Sequence, residues 1–355
     1  MKKISSSRWF QAIPLFWIGM VLPFSTSHSQ ESVPYLVNTD EKLELVGFPV
    51  HQPPIDTGVV QSVTGNVVSW TPTFTERSFG SALPARQESY AEVVGPAGHI
   101  WVGHRMELDE VATGARTDHR LVITSSRYNT RGLPNKTLVG AFLEVRNHLT
   151  VNEIWGQSLK NRLEYAKEPS SSFLFWLPAL PLYRELHAFI DKGSLIWHLA
   201  NRPTSLFTDP LIIPPGNAVG VDFGEIRGSS LAITAISRNW RTAAPLRAGV
   251  NLLAYPYSRD LRLGVDWGRS EDGFAGLTTP NGNQDRIELV NGSSRIIYTP
   301  ESQIAGGIRW RQMQSGSARI WSLPAKYLDI IPVGQGFVLW KTKPQPNHFF
   351  NPPKI

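Results

Sequence analysis

Two tryptophans, Trp310 and Trp321, stand among Arg309, Arg311, Gln312 and Arg319. An indole face beside guanidinium groups offers a shelf on which a sugar ring can stack, with large contact area and few torsions to freeze. Trp310, Trp321, Arg309 and Arg311 are therefore the candidate ligand-binding residues. The competing use of such aromatics is core filling, to which β proteins put Trp and Tyr freely. Trp197 and Trp340 end apolar runs and are expected in the core.

Other groups carry less chemistry. His99 and His104 flank Trp-Val-Gly. On a strand a spacing of five places them on opposite faces, where they cannot share a metal. Asn281, Asn283, Asp285 and Glu288 resemble a calcium loop, but the glycine stands at the second place and the glutamate comes too early. A turn explains that stretch better. There is no G-x-S-x-G elbow, no G-x-x-x-x-G-K-[ST] loop and no dinucleotide fingerprint. Glu107, Asp109, Asp266, Asp272 and Glu288 could supply a glycosidase pair, which needs two carboxylates about 5–10 Å apart, but spacing along the chain does not pair them. The expectation is a protein that is not an enzyme and holds no cofactor or metal.

These residues must be positioned by strands. Of the 355 residues, 41% are hydrophobic and 18% charged, a globular balance. The 29 glycines and 27 prolines punctuate the chain too often for long helices. With no cysteine, disulfides, thiol nucleophiles and Cys-based zinc sites are all excluded. The net charge of +6 comes from scattered Lys and Arg, which suits a solvated surface more than a nucleic-acid site.

The first residues read as a secretory signal peptide. Lys2, Lys3 and Arg8 precede an apolar run from Trp9 to Phe24, and Ser27 and Ser29 fit a cleavage site after Ser29. The apolar run is short for a membrane span. The product is expected in the periplasm, at the cell surface or outside the cell, with no transmembrane segment after cleavage.

Beyond the leader, the reading is all-β. Thr57–Ser69 is a hairpin about Gly65-Asn66. Strands are expected at Ser89–Val94, Ile100–Leu108, Arg120–Ile123 and Ala141–Val145, making a small barrel or sandwich over residues 30–148. Two related β units follow, over 149–250 (with a linker) and 251–355. Leu186–Leu199 aligns with Ile287–Thr299, Leu211–Val221 with Asp329–Leu339 through Ile-Ile-Pro-x-Gly, and His148–Gly156 with Ser258–Gly268.

Phe48–Trp70, Asn251–Gly264 with Asn281–Leu289, and Ile330–Leu339 together resemble a family of secreted, paralogous proteins of certain Gram-negative bacteria, to which no function is assigned. The resemblance spans most of the mature chain. The sequence departs from the family in the first unit, where a hairpin loop is shortened and a Trp-Arg-like stretch is missing. The resemblance implies an exported β protein and lends no catalytic residue. The expected role is a structural or adhesive module of the envelope or extracellular space. A polysaccharide-binding module using Trp310, Trp321 and nearby Arg is one alternative, and a hydrolase with a carboxylate pair is another. Envelope polysaccharide or other surface proteins are the expected partners, and nucleic acid is not.

Overall fold

The structure, a computed structural model, describes residues 32–38, 44–48, 50–72, 89–108, 120–124, 129–163, 172–176, 183–207, 211–222, 230–274, 285–291, 294–302, 308–313 and 330–352. The expected leader, Asp109 and Trp321 lie outside them.

Along the chain, β1 (Ser32–Asn38), β2 (Glu44–Gly47) and β3 (Val50–His51) come first. They are followed by β4 (Asp56–Thr64), β5 (Val67–Pro72), β6 (Ser89–Gly95), β7 (Arg105–Glu107), β8 (Arg120–Val122) and β9 (Phe142–Asn147). β10 (Leu149–Thr150) leads into α1 (Val151–Leu163). Next are β11 (Ser172–Trp176), β12 (Tyr183–Asp191), β13 (Ser194–Leu199), β14 (Arg202–Phe207), β15 (Ile212–Ile213) and β16 (Ala218–Asp222). β17 (Ser230–Ser237), β18 (Thr242–Ala243), β19 (Gly249–Ala254) and β20 (Leu261–Arg262) follow. The last are β21 (Arg286–Asn291), β22 (Ser294–Ser302), β23 (Ile308–Met313), β24 (Ile330–Ile331), β25 (Gly336–Lys341) and β26 (Phe349–Phe350). With 57% strand and 7% helix the fold is all-β, built of antiparallel sheets of which one curls into a half-barrel.

The N-terminal sheet has the order β7-β6-β9-β4-β5-β8. Its β4–β5 hairpin turns at Gly65-Asn66, where Gly65 takes φ +60°, as the sequence predicts. β6, β8 and β9 also form where expected. The stretch 100–103 is a turn, so β7 begins only at Arg105. Ala91, Val93, Met106, Leu143 and Val145 point to one side and build a core with Val60, Val68, Trp70 and Trp101.

A larger sheet runs β14-β13-β12-β11-β16-β2-β21-β22-β23, and β25 pairs with both β19 and β21. One core of this body lies under β12, β13 and β16 and is closed by α1; another lies under β21, β22 and β25. β1 pairs along its length with β17.

Helix α1 was not expected from the breaker-rich composition. Thr150 and Glu153 form a capping box: Glu153 N–H donates to Thr150 Oγ1 (3.2 Å), and Thr150 N–H donates to Glu153 Oε2 (2.9 Å). Val151, Ile154, Trp155 and Leu159 then follow helical spacing and are all buried in the first core.

Candidate functional site

The sequence-predicted aromatic shelf does not form at Trp310. That residue is 1% exposed and sits in the second core. Its indole Nε1–H donates to the carbonyl of Gly268 (2.8 Å), and Phe274 meets its ring edge-on at 5.4 Å. Strand alternation explains the correction. Trp310 lies on β23 opposite Pro300, and its face of the strand turns into the core. Arg309 and Arg311 point the other way. Arg311 pairs with Glu301 on the neighbouring strand, and Arg309 is half-buried opposite the same residue. The structure thus separates the arginines from the Trp310 ring.

The candidate carboxylates are also engaged. Asp266 is gripped by Arg262 (2.8 Å) and approached by Arg259 (3.5 Å). Burial works against its charge, yet the Arg262 hydrogen bonds hold its carboxyl below the usual range. Asp272 takes Arg269 (3.0 Å), and Glu288 takes Arg286 (2.9 Å). In the supposed calcium loop, Asp285 accepts from Lys341 Nζ (2.6 Å), Thr342 N–H (2.8 Å) and Thr342 Oγ1 (2.9 Å). Among the described residues no cluster of three His, Cys, Asp or Glu is placed to hold a metal. His99 Nδ1 accepts the Trp101 N–H (3.3 Å), whereas His104 is buried against Thr130 Oγ1 (3.1 Å).

The strongest concentration of ionisable groups lies elsewhere, on the second face of the N-terminal sheet. On β6, Tyr90 and Glu92 alternate with the core residues Ala91 and Val93. The register sets Glu107 and Arg146 on either side of Tyr90, and Arg105 and Glu144 on either side of Glu92. The result is a platform two residues deep and three strands wide in which acid and base adjoin. Tyr90, Glu92, Arg105, Glu107 and Arg146 are all buried, with Glu92 and Arg146 wholly so.

The platform is covered by the chain after β17, by His51 and by His148. Arg238 donates to Glu92 and to Thr242 Oγ1 (3.2 Å). Burial opposes the charge on Arg238, but Glu92 overrides it and holds the guanidinium pKa above its ordinary value. His148 bonds Glu107 (2.8 Å) and stacks on Tyr90 (4.5 Å between ring centres). Arg146 pairs with Glu144 and donates to the Gln52 carbonyl. Arg105 donates to the Pro215 carbonyl (2.9 Å), and burial lowers its pKa. Trp240 lies against the guanidinium groups of Arg238 and Arg146 (5.1 and 5.5 Å) with His51 edge-on at 5.2 Å. Burial pushes the Tyr90 hydroxyl up to about 12 and holds His51 neutral, well below its ordinary value.

Not every polar atom here is matched. Among the described residues, one oxygen each of Glu92 and Glu107, Nε of Arg105 and Arg146, Nη2 of Arg238 and both nitrogens of His51 lack a hydrogen-bond partner. Groups of this kind are normally satisfied by ordered water or a bound polar molecule. Of the platform, the sequence reading singled out Glu107 alone. The available signal was the run Ser-Tyr-Ala-Glu-Val-Val, whose period of two also fits a strand with one face in water.

Compared with family models, curated proteins and solved structures, the chain matches none of them. Among the described residues no helix is long and apolar enough to cross a membrane.

Proposed function

We propose that this is an exported, non-enzymatic β module of the cell envelope or extracellular space, with a structural or adhesive role. The observation that carries the reading is the fate of the ionisable residues. Among the described residues, buried charged groups pair with one another, as in Glu92–Arg238 and Asp285–Lys341, and so join segments of the fold. General acid–base work asks instead for a group poised to exchange a proton with a substrate. The leader supports export, and the net charge of +6 supports attraction to acidic polymers or surface proteins as partners.

The test is to express the full chain in a Gram-negative host, separate the fractions and read the mature N-terminus. The expected product begins at Gln30, leaves the cytoplasm and sediments with envelope material. Salt washing then separates attachment through charge, which is released, from attachment through packed surface, which is not. A cytoplasmic protein that retains Met1 would overturn the proposal.

A further inference from the structure

The strand registers on the two sides of the large sheet agree residue for residue. In one half, β10 pairs with β15 as Leu149↔Ile213; in the other, β20 pairs with β24 as Leu261↔Ile331. β16 meets β2 as Ala218↔Gly47 and β25 meets β19 as Gly336↔Ala254. β16 meets β11 as Phe173↔Val221, and β25 meets β21 as Ile287↔Leu339. The meander continues in step. Phe173↔Leu186 answers Ile287↔Tyr298, and Ala188↔Trp197 answers Pro300↔Trp310.

Residues matched by these registers and by the sequence alignments fill matching places in the two cores. Val46, Phe48, Leu149, Trp155, Trp197 and Val219 belong to one core; Leu253, Tyr255, Leu261, Trp267, Trp310 and Phe337 belong to the other. The sequences around β2 and β19 agree as well: Leu45-Val46-Gly47-Phe48-Pro49 against Leu252-Leu253-Ala254-Tyr255-Pro256.

The contacts between the halves are reciprocal. Gly47 N–H donates to the Gly334 carbonyl (2.8 Å), and Ala254 N–H donates to the Gly216 carbonyl (3.1 Å). Val46 bridges to Gln335, and Leu253 bridges to Asn217. Gly216 and Gly334 occupy the same place in the two Ile-Ile-Pro-x-Gly turns, with φ of +84° and +79°. Residue i touching j′ while j touches i′ is the signature of an isologous, two-fold interface. Leu45 and Leu252 meet at that interface with Ala218 and Ala254. There the two sets of counterparts face each other: a Cβ on Gly47 would lie 1.9 Å from the Cβ of Ala254, and one on Gly336 would lie 2.5 Å from the Cβ of Ala218. Each glycine–alanine couple leaves room for one methyl.

We propose that residues 44–48 with 149–222, and residues 249–341, are two copies of one fold that pack about an internal two-fold axis as the halves of a fused homodimer. Each copy presents the surface that recognises the other, so the partner this surface fits is a second copy of the same fold. The N-terminal sheet then lies inside the first copy. The chain takes residues 48–148 to pass from β2 to β10, whereas residues 255–260 suffice between β19 and β20. Among the described residues that sheet, with its charged platform, has no counterpart in the second copy, and neither has α1.

Exchange of the facing residues tests the axis. In the full chain, one variant carries G47A; a second carries A254G; a third carries both. The first places two methyls where one fits and is expected to lose thermal stability sharply or fail to fold. The second leaves two glycines and is expected to lose less. The double exchange restores one methyl to the couple and leaves both cores unchanged, and is expected to melt within a few degrees of the native chain. An exchanged chain that fails to fold, or whose loss in melting temperature equals the sum of the two separate losses, would overturn the two-fold assignment. Export and envelope association of the native chain are read in a separate assay, so failure there leaves this result intact.

Discussion

Glu92 has no exposure to solvent, and Arg238 has almost none. A charge so placed is tolerated because its counter-charge is fixed beside it, and removing one partner strands the other. Arg238→Met is therefore expected to cost about 3–5 kcal/mol of unfolding free energy. Adding Glu92→Met should recover a substantial part of that loss, since both desolvated charges then leave together. Urea denaturation of the two variants checks the argument. An Arg238→Met chain as stable as the native one would mean that the platform does not hold the sheet in place. Trp310 teaches a related lesson about single residues. Its arginine neighbours in sequence suggested a binding shelf, but neighbours in a strand point to opposite faces. The residue that does predict its surroundings is Trp197, its register counterpart, which likewise donates its indole N–H, to Asn152 Oδ1 (3.0 Å).

At the scale of elements, α1 depends on its cap. Thr150→Ala removes the acceptor for Glu153 N–H and is expected to cost ~1 kcal/mol, with Thr150→Ser nearly neutral; thermal melts of the two variants separate a cap from a packing role. The helix was legible in Thr-x-x-Glu followed by apolar residues at helical spacing, but frequent glycine and proline elsewhere drew the reading toward strands. The β4–β5 hairpin, β6, β8 and β9 were readable because a turn residue and a period of two are local signals. The charged platform was not, since alternation tells that a strand has two faces and not what covers the second. The pairing of the halves was half legible. The Ile-Ile-Pro turns align in sequence as they do in the registers, yet the sequence also aligns Leu186–Leu199 with Ile287–Thr299, which places β12 on β21. The registers instead pair β12 with β22, one strand further along. Adjacent strands of one meander share the same alternation, so a slip by a whole strand leaves the apolar pattern unchanged.

At the scale of the whole molecule, the N-terminal sheet is joined to the segment between β17 and β19 and to β26, and neutral histidines lie at this seam and in the second core. Arg241 donates to the carbonyls of Val102 (2.7 Å) and His99 (3.2 Å), and Ala243 N–H donates to Gly103 (2.9 Å). Around this seam His51 is buried against Trp240, and His104 lies edge-on to Phe349 (4.9 Å). Within the second core, His348 Nε2 accepts the Trp267 indole N–H (2.6 Å), which leaves no room for a proton on that nitrogen. Burial first, then nearby arginines, brings His104 down to about 3; burial brings His348 down to about 4, and His51 is also well below its ordinary value. The native state therefore refuses protons that the unfolded chain accepts below about pH 6.5. The unfolded state binds more protons throughout that window, so stability falls as pH falls, by up to ~1.4 kcal/mol per pH unit for each histidine. Above about pH 7 the effect is absent. Unfolding free energies of the chain, measured by urea between about pH 7.5 and pH 5, should show this steep decline. His348→Gln keeps an acceptor for Trp267 but cannot titrate. It should start lower at neutral pH and then decline less steeply, retaining ~2 kcal/mol relative to the native slope by pH 5. Parallel pH curves for the two chains would mean that His348 takes up its proton without leaving the core.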